Sequence, residues 1–194
     1  MGNLFVKGEA VSDKPSYLGL LNAIAVGEAR AHCYLSEWIA VSPDPAVKKV
    51  LATVCAREGE HGMAFAKRIN ELGYSVRERE DPDAARRRSI AASTELTDLE
   101  KFEKLGLGRL SDSDPFDNIF HDRTFDIETA ALMGRYIAEE RDSARRLAAC
   151  CGALAAHAKP PASSDAIATL PAKVDALCAA VEDLRRVVRV DLTV

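Results

Sequence analysis

An all-α protein, an antiparallel four-helix bundle followed by a fifth helix, is the fold this sequence predicts, and three observations carry the prediction. Proline recurs just inside a helix start, behind residues suited to capping: Lys14-Pro15 after Ser12-Asp13, then Asp44-Pro45, Asp81-Pro82 and Asp114-Pro115. Proline at a first helical position forfeits no hydrogen bond, and an acid before it caps the free amides. Between these starts apolar residues return three and four apart, with almost no strand-like alternation. The chain has 194 residues, 47% of them hydrophobic and many of those alanine, enough for one domain with a full helical core.

The elements follow in order. A first helix is expected over about 15–41 and a second over 45–72, ended by Gly73. The short loop between them makes an antiparallel hairpin. A third helix is expected over 83–105, ended by Gly106, and a fourth over 116–157; the stretch from Leu105 to Asp114 is long enough to cross one end of the bundle. Residues 1–158 then form the bundle domain and 159–169 a linker, marked by Lys159-Pro160-Pro161-Ala162-Ser163-Ser164. Over 170–194, Leu170, Val174, Leu177, Val181, Leu184 and Val188 alternate four and three apart. That heptad seam suits a helix that docks on its own bundle or pairs with a second copy.

Charge and motif content narrow the function. Lys+Arg 26 against Asp+Glu 30 gives a net charge of −4, which offers nothing to nucleic acid; Arg86-Arg87-Arg88 reads as a solvated helix face. No apolar run is long enough to span a bilayer, and the first residues lack a signal-peptide pattern. Glycine-rich phosphate loops, nucleophile elbows and zinc-finger spacings are absent. The five cysteines are odd in number and include no C-x-x-C pair, as expected of reduced thiols in a cytoplasmic protein without a rubredoxin-type iron centre.

The chemistry begins at Glu58-Gly59-Glu60-His61. Glu58 and His61 are one helical turn apart on the stripe Leu51, Val54, Phe65, Ile69, Leu72, so both are expected inside. A buried carboxylate demands a counter-charge, a proton or a metal, and a carboxylate beside an imidazole binds transition metals. Glu28 is the same anomaly on the first helix, among Leu21, Ile24, Leu35 and Ile39. In an antiparallel hairpin it meets Glu58 and His61 at mid-height. On the fourth helix Glu140 lies in phase with Ile137, Ala144 and Leu147, but three residues later comes Ser143 rather than a second histidine. Glu139 and Asp142 share a polar face with Arg135 and Arg146 and read as a surface ion-pair ladder. Glu95, beside Leu99 and Phe102, is the candidate acid of the third helix, with Asp98 and Glu100 as rivals. Tyr136, one turn before Glu140, and His32, one turn after Glu28, are candidates to support these ligands. Glu60 is expected outside and Trp38 in the core.

A Glu on one helix and Glu-x-x-His on the next resembles the ferritin-like superfamily, which includes rubrerythrins and bacterioferritins. The layout of residues 15–157 fits that resemblance, and Glu28, Glu58 and His61 match its first half-site. The resemblance implies a carboxylate-bridged centre with two Fe ions, or Mn, ligated by Glu28, Glu58, His61, Glu140 and Glu95. It implies oxidation of Fe(II) with O2 or H2O2 in iron handling or peroxide defence, in a homo-oligomer; an oxygenase acting on an organic substrate uses the same scaffold. Ser143 departs from the pattern. Water or Asp142 then replaces histidine at one metal, a single metal rests on Glu28, Glu58, His61 and Glu140, or the acids form a metal-free network in a helical interaction module. A site completed between two chains is a further arrangement.

Overall fold

The computed structural model describes residues 14–110, 116, 119, 123–158, 174, 175, 177 and 179. Among these there is no strand, and five helices form: α1 (Leu18–Val41), α2 (Pro45–Glu71), α3 (Ala84–Ala92), α4 (Asp98–Leu105) and α5 (Ile127–Ala158). None of them is long and apolar enough to cross a membrane. The chain divides into two units, Met1–Leu154 and Ala155–Val194. The expected linker lies outside the described residues. Of the expected fifth helix, Val174, Asp175, Leu177 and Ala179 are described and helical, and Val174 and Leu177 are exposed.

The start of α2 follows its sequence closely. Pro45 opens the helix and the Asp44 carboxylate accepts from the amide of Ala46 at 2.7 Å. α1 begins three residues after Pro15, because Pro15–Tyr17 form a turn that closes on the Leu18 amide.

Two expected helices are corrected. The stretch 83–105 is not one helix but α3 and α4, broken at residues 93–97. The Ser93 hydroxyl takes the amides of Glu95 and Leu96, while Thr97 and Glu100 form a reciprocal capping box that starts α4 afresh. Local side-chain hydrogen bonds outcompete helical continuation there. The last long helix begins at Ile127 rather than 116, and its cap is Asp126, whose carboxylate accepts from the amides of Glu128 and Thr129 at 3.0 Å.

Asp126 also ties three elements together. It accepts from the Tyr17 hydroxyl at 2.6 Å, from the Thr129 hydroxyl at 2.7 Å and from the Arg68 guanidinium at 2.7 Å. Burial opposes ionisation, but these bonds outweigh it and hold the carboxyl well below its usual range. Asp126→Ala removes the cap and a partner of nearly buried Arg68. It should cost roughly 2–3 kcal/mol in urea unfolding. A loss below about 0.5 kcal/mol would show that the junction is not a stabilising one.

Contacts also give the directions of the helices. Ser16 meets Thr124, Tyr17 meets Asp126 and Glu28 meets Tyr136, at separations of 108 or 109 residues, so α1 and α5 run parallel. Arg68 meets Thr129, His61 meets Glu139 and Arg57 meets Asp142, so α2 runs antiparallel to α5. After α2 the chain climbs back along α1: Arg77 binds Asn22, Glu78 pairs with Arg30, and Arg88 pairs with Glu37. It descends again from Asp98, held by Trp38 and Ser42, to Thr124 and Asp126 beside Ser16 and Tyr17.

Two apolar clusters fill the interior. One gathers Leu21, Ile24, Phe65, Ile69, Met133 and Ile137; the other gathers Leu35, Trp38, Leu51, Val54, Phe102 and Leu147. On α1, α2 and α5 alike, the residues between the two clusters include acids. The polar layer at mid-height is therefore written into three helices at once.

Candidate metal centre

That layer contains Glu28, Glu58, His61 and Glu140. Glu28, Glu58 and His61 are 7%, 7% and 3% exposed, so their charges cannot be left to solvent. One ligand atom each from Glu28, His61 and Glu140 lies within 4.8 Å of the others. The Nδ1 atom of His61 is 3.6 Å from a Glu28 oxygen and 3.4 Å from a Glu140 oxygen. Those same three atoms, Glu28 Oε2, His61 Nδ1 and Glu140 Oε1, are buried without a hydrogen-bond partner. Glu58 reaches the Glu28 carboxyl with its own and feels the charge of Glu140.

The surrounding groups orient these ligands. The Tyr136 hydroxyl donates to the other oxygen of Glu28 at 2.9 Å, and its ring stands edge-on to His61. His61 Nε2 is 2.7 Å from Glu139. A carboxylate only accepts, so Nε2 carries a proton and Nδ1 is the nitrogen turned toward Glu28 and Glu140. Glu139 in turn is braced by Arg135 at 3.0 Å.

Electrostatics make the centre a proton store. Burial pushes the Glu58 carboxyl up, helped by Glu28 and Glu140, to about 10. Burial works against a charged His61, but Glu140, Glu28 and Glu139 outweigh it and raise the imidazole to about 10. Glu28 goes the other way: burial opposes ionisation, and the neighbouring His61, Glu58 and Tyr136 outweigh it and hold the carboxyl low. Tyr34 is pushed up to about 12 by burial and by Glu58.

Some expected residues lie elsewhere. Glu95 is exposed in the break between α3 and α4, near Arg86 and Lys104, and is not among the acids brought together. The helix break puts it there. Asp98 is buried, but its oxygens are taken by the Trp38 indole at 2.6 Å and the Ser42 hydroxyl at 2.8 Å. Glu100 belongs to the capping box. His32 Nδ1 donates to the Cys55 carbonyl at 2.8 Å rather than to a ligand. Asp142 is engaged by Arg57 at 2.8 Å and Arg146 at 2.6 Å. Glu60 is exposed and pairs with Arg135.

Two contributors escaped the sequence reading. Glu139, assigned to the surface ladder, does bind Arg135 but also holds His61. Its place beside Glu140, on the flank between apolar stripe and polar face, was the available signal. Arg57, next to Glu58, reaches Asp142 and also donates to Ser143 at 3.1 Å. The position expected for a second histidine thus faces a fixed cation.

α4 is followed by the turn Gly106-Leu107-Gly108-Arg109, whose Leu107 packs on the Leu35, Trp38 and Leu147 cluster. This turn, with α1, α2 and α5, borders a cavity of about 240 Å³ that opens onto Glu58, Glu140 and Ser143. Compared with protein families, curated proteins and solved structures, the chain finds no match.

Proposed function

We propose that this chain is a ferritin-like metal-binding protein that holds Fe or Mn at mid-height and oxidises Fe(II) with O2 or H2O2. The observation that carries the reading is the set of three orphaned ligand atoms, Glu28 Oε2, His61 Nδ1 and Glu140 Oε1, facing one another in the interior. Buried polar atoms are almost always satisfied, and a divalent cation would satisfy all three at once. The course of the chain supports the same reading: one hairpin, a return along α1, a descending segment and a final helix parallel to the first match a ferritin-like four-helix bundle whose third helix is shortened to α4.

The donor set fits one ion on Glu28, His61 and Glu140, with Glu58 beside it. Among the described residues it does not fit a second, since Ser143 and the glycine turn supply no comparable ligands. Bound there, Fe(II) would supply reducing electrons to O2 or H2O2. The protein's own groups do the rest. Glu139 keeps the imidazole turned so that Nδ1 faces inward, and Tyr136 fixes Glu28 by its outer oxygen. Glu58 and His61 hold protons that leave when a cation arrives.

A second reading, a metal-free interaction module, draws on one observation. With Glu58 neutral and His61 charged, Glu28 already has partners without an ion. Elemental analysis separates the two. Protein loaded anaerobically with Fe(II) and desalted should retain about one iron per chain, and none as His61→Ala. Faster Fe(II) oxidation than with the variant should accompany it. No retained iron in a folded wild-type chain would overturn the metal reading.

A further inference from the structure

The cavity beside Glu58 and Glu140 has an unusual construction. Its roof is backbone: Gly106 and Gly108 adopt φ of 69° and 77°, the left-handed region that side chains disfavour. Gly108 is also seated against α5, where an added Cβ would stand 2.6 Å from the Cys151 Cβ and 3.2 Å from the Phe102 ring. The roof therefore cannot carry a side chain at Gly108 and cannot move closer. Beneath it, α5 offers only Ser143 and Ala144 at the level where a bulky ligand was expected.

Leu35, Val54, Leu107 and Leu147 give apolar walls, while Glu58 and Glu140 close the inner end. Tyr34 and Ser143 bring hydroxyls; the Ser143 oxygen accepts from Arg57, which leaves its proton to donate. Among the described residues Arg109 is the one lining cation, and it is exposed. An engineered apolar cavity of about 150 Å³ binds benzene, so the 240 Å³ found here admits a somewhat larger molecule.

We propose that this cavity binds a small monocarboxylate with an apolar body, its carboxylate on Arg109 and its hydrocarbon end toward Glu58 and Glu140. The guanidinium fork matches a carboxylate in shape and charge. The exposed cation and the leucine and valine walls behind it set the direction of entry. The inference deepens the metal-centre reading by naming an organic substrate class for that centre, and rests on it for the chemistry though not for the binding.

Isothermal titration of the full chain with hexanoate, metal-free and Mn(II)-loaded, tests it, with 1-hexanol as the neutral control. The expected result is saturable binding at one site per chain, weakened about tenfold or more by Arg109→Gln and for 1-hexanol. Ala144→Phe, which adds a ring to the lining, should weaken it further while circular dichroism stays helical. No saturable binding in either form overturns the proposal, as does hexanoate binding indifferent to Arg109→Gln, or 1-hexanol binding equally well. Metal content of the same samples separates the two readings: retained metal without hexanoate binding removes the pocket alone, and hexanoate binding without metal removes the metal centre alone.

Discussion

Metal-free protein should lose stability as the pH rises from about 6 to about 9, and a divalent ion should restore it. His61 rises from the ordinary 6.5 to about 10 in the folded chain. Its contribution is complete below the unfolded value and disappears as pH climbs through the folded one. Glu58 rises from 4.5 to about 10, so above pH 4.5 the folded state binds a proton that the unfolded state has released. That too lowers stability with rising pH. Both slopes have the same sign, and the groups facing them are Glu28 from α1 and Glu139, Glu140 and Tyr136 from α5. Each group loses about 1.4 kcal/mol per pH unit while the folded chain keeps its proton and the unfolded chain does not, so the combined loss is on the order of 7 kcal/mol across the window. An ion competes with those protons, so it binds better at high pH and stabilises the native state there. Melting curves in chelator from pH 6 to 9, repeated with Mn(II), measure this. His61→Ala should remove its own share of the slope, leaving that of Glu58, and abolish the response to Mn(II). A chelated wild type whose melting temperature rises over this range would contradict the protonation states assigned to the centre.

Trp38→Ala should be the most destabilising single change, at roughly 3–5 kcal/mol. The indole is fully buried, stands edge-on to Phe102 at 4.8 Å and lies 5.9 Å from the Lys101 ammonium. Its N–H donates to Asp98 at 2.6 Å. Truncation opens a cavity and strips a buried carboxylate of one of its two donors, and each effect is costly. Trp38→Phe keeps most of the packing and loses the hydrogen bond, for about 1–3 kcal/mol. Urea unfolding of both variants distinguishes the contributions. Equal losses would mean that the hydrogen bond to Asp98, rather than volume, holds α4 against α1.

This contact also explains why the third helix was hard to read. Asp98 is a buried acid in an apolar setting, the same signature that singled out Glu28 and Glu58. Nothing in the local sequence tells an acid that serves an indole and a serine hydroxyl from one that faces other acids across the interior. The break that exposes Glu95 was legible, by contrast: Thr97 and Glu100 are spaced as a capping box, and a helix start at residue 98 cannot lie inside a continuous helix. The same holds for Asp126, whose position three before Thr129 marks a cap.

Sequence by itself determined the all-helical class, the first hairpin and the inward phase of Glu28, Glu58, His61 and Glu140, because helical periodicity is a local property that burial rewards directly. Tertiary structure decided what each inward acid meets. Glu139 turns to His61, Arg57 crosses to Ser143, and the glycine turn after α4 borders a cavity beside Glu58 and Glu140. Those outcomes depend on distances between segments some eighty residues apart. A side chain's partner across a bundle is set by the offset of whole helices, and no local spacing records that offset.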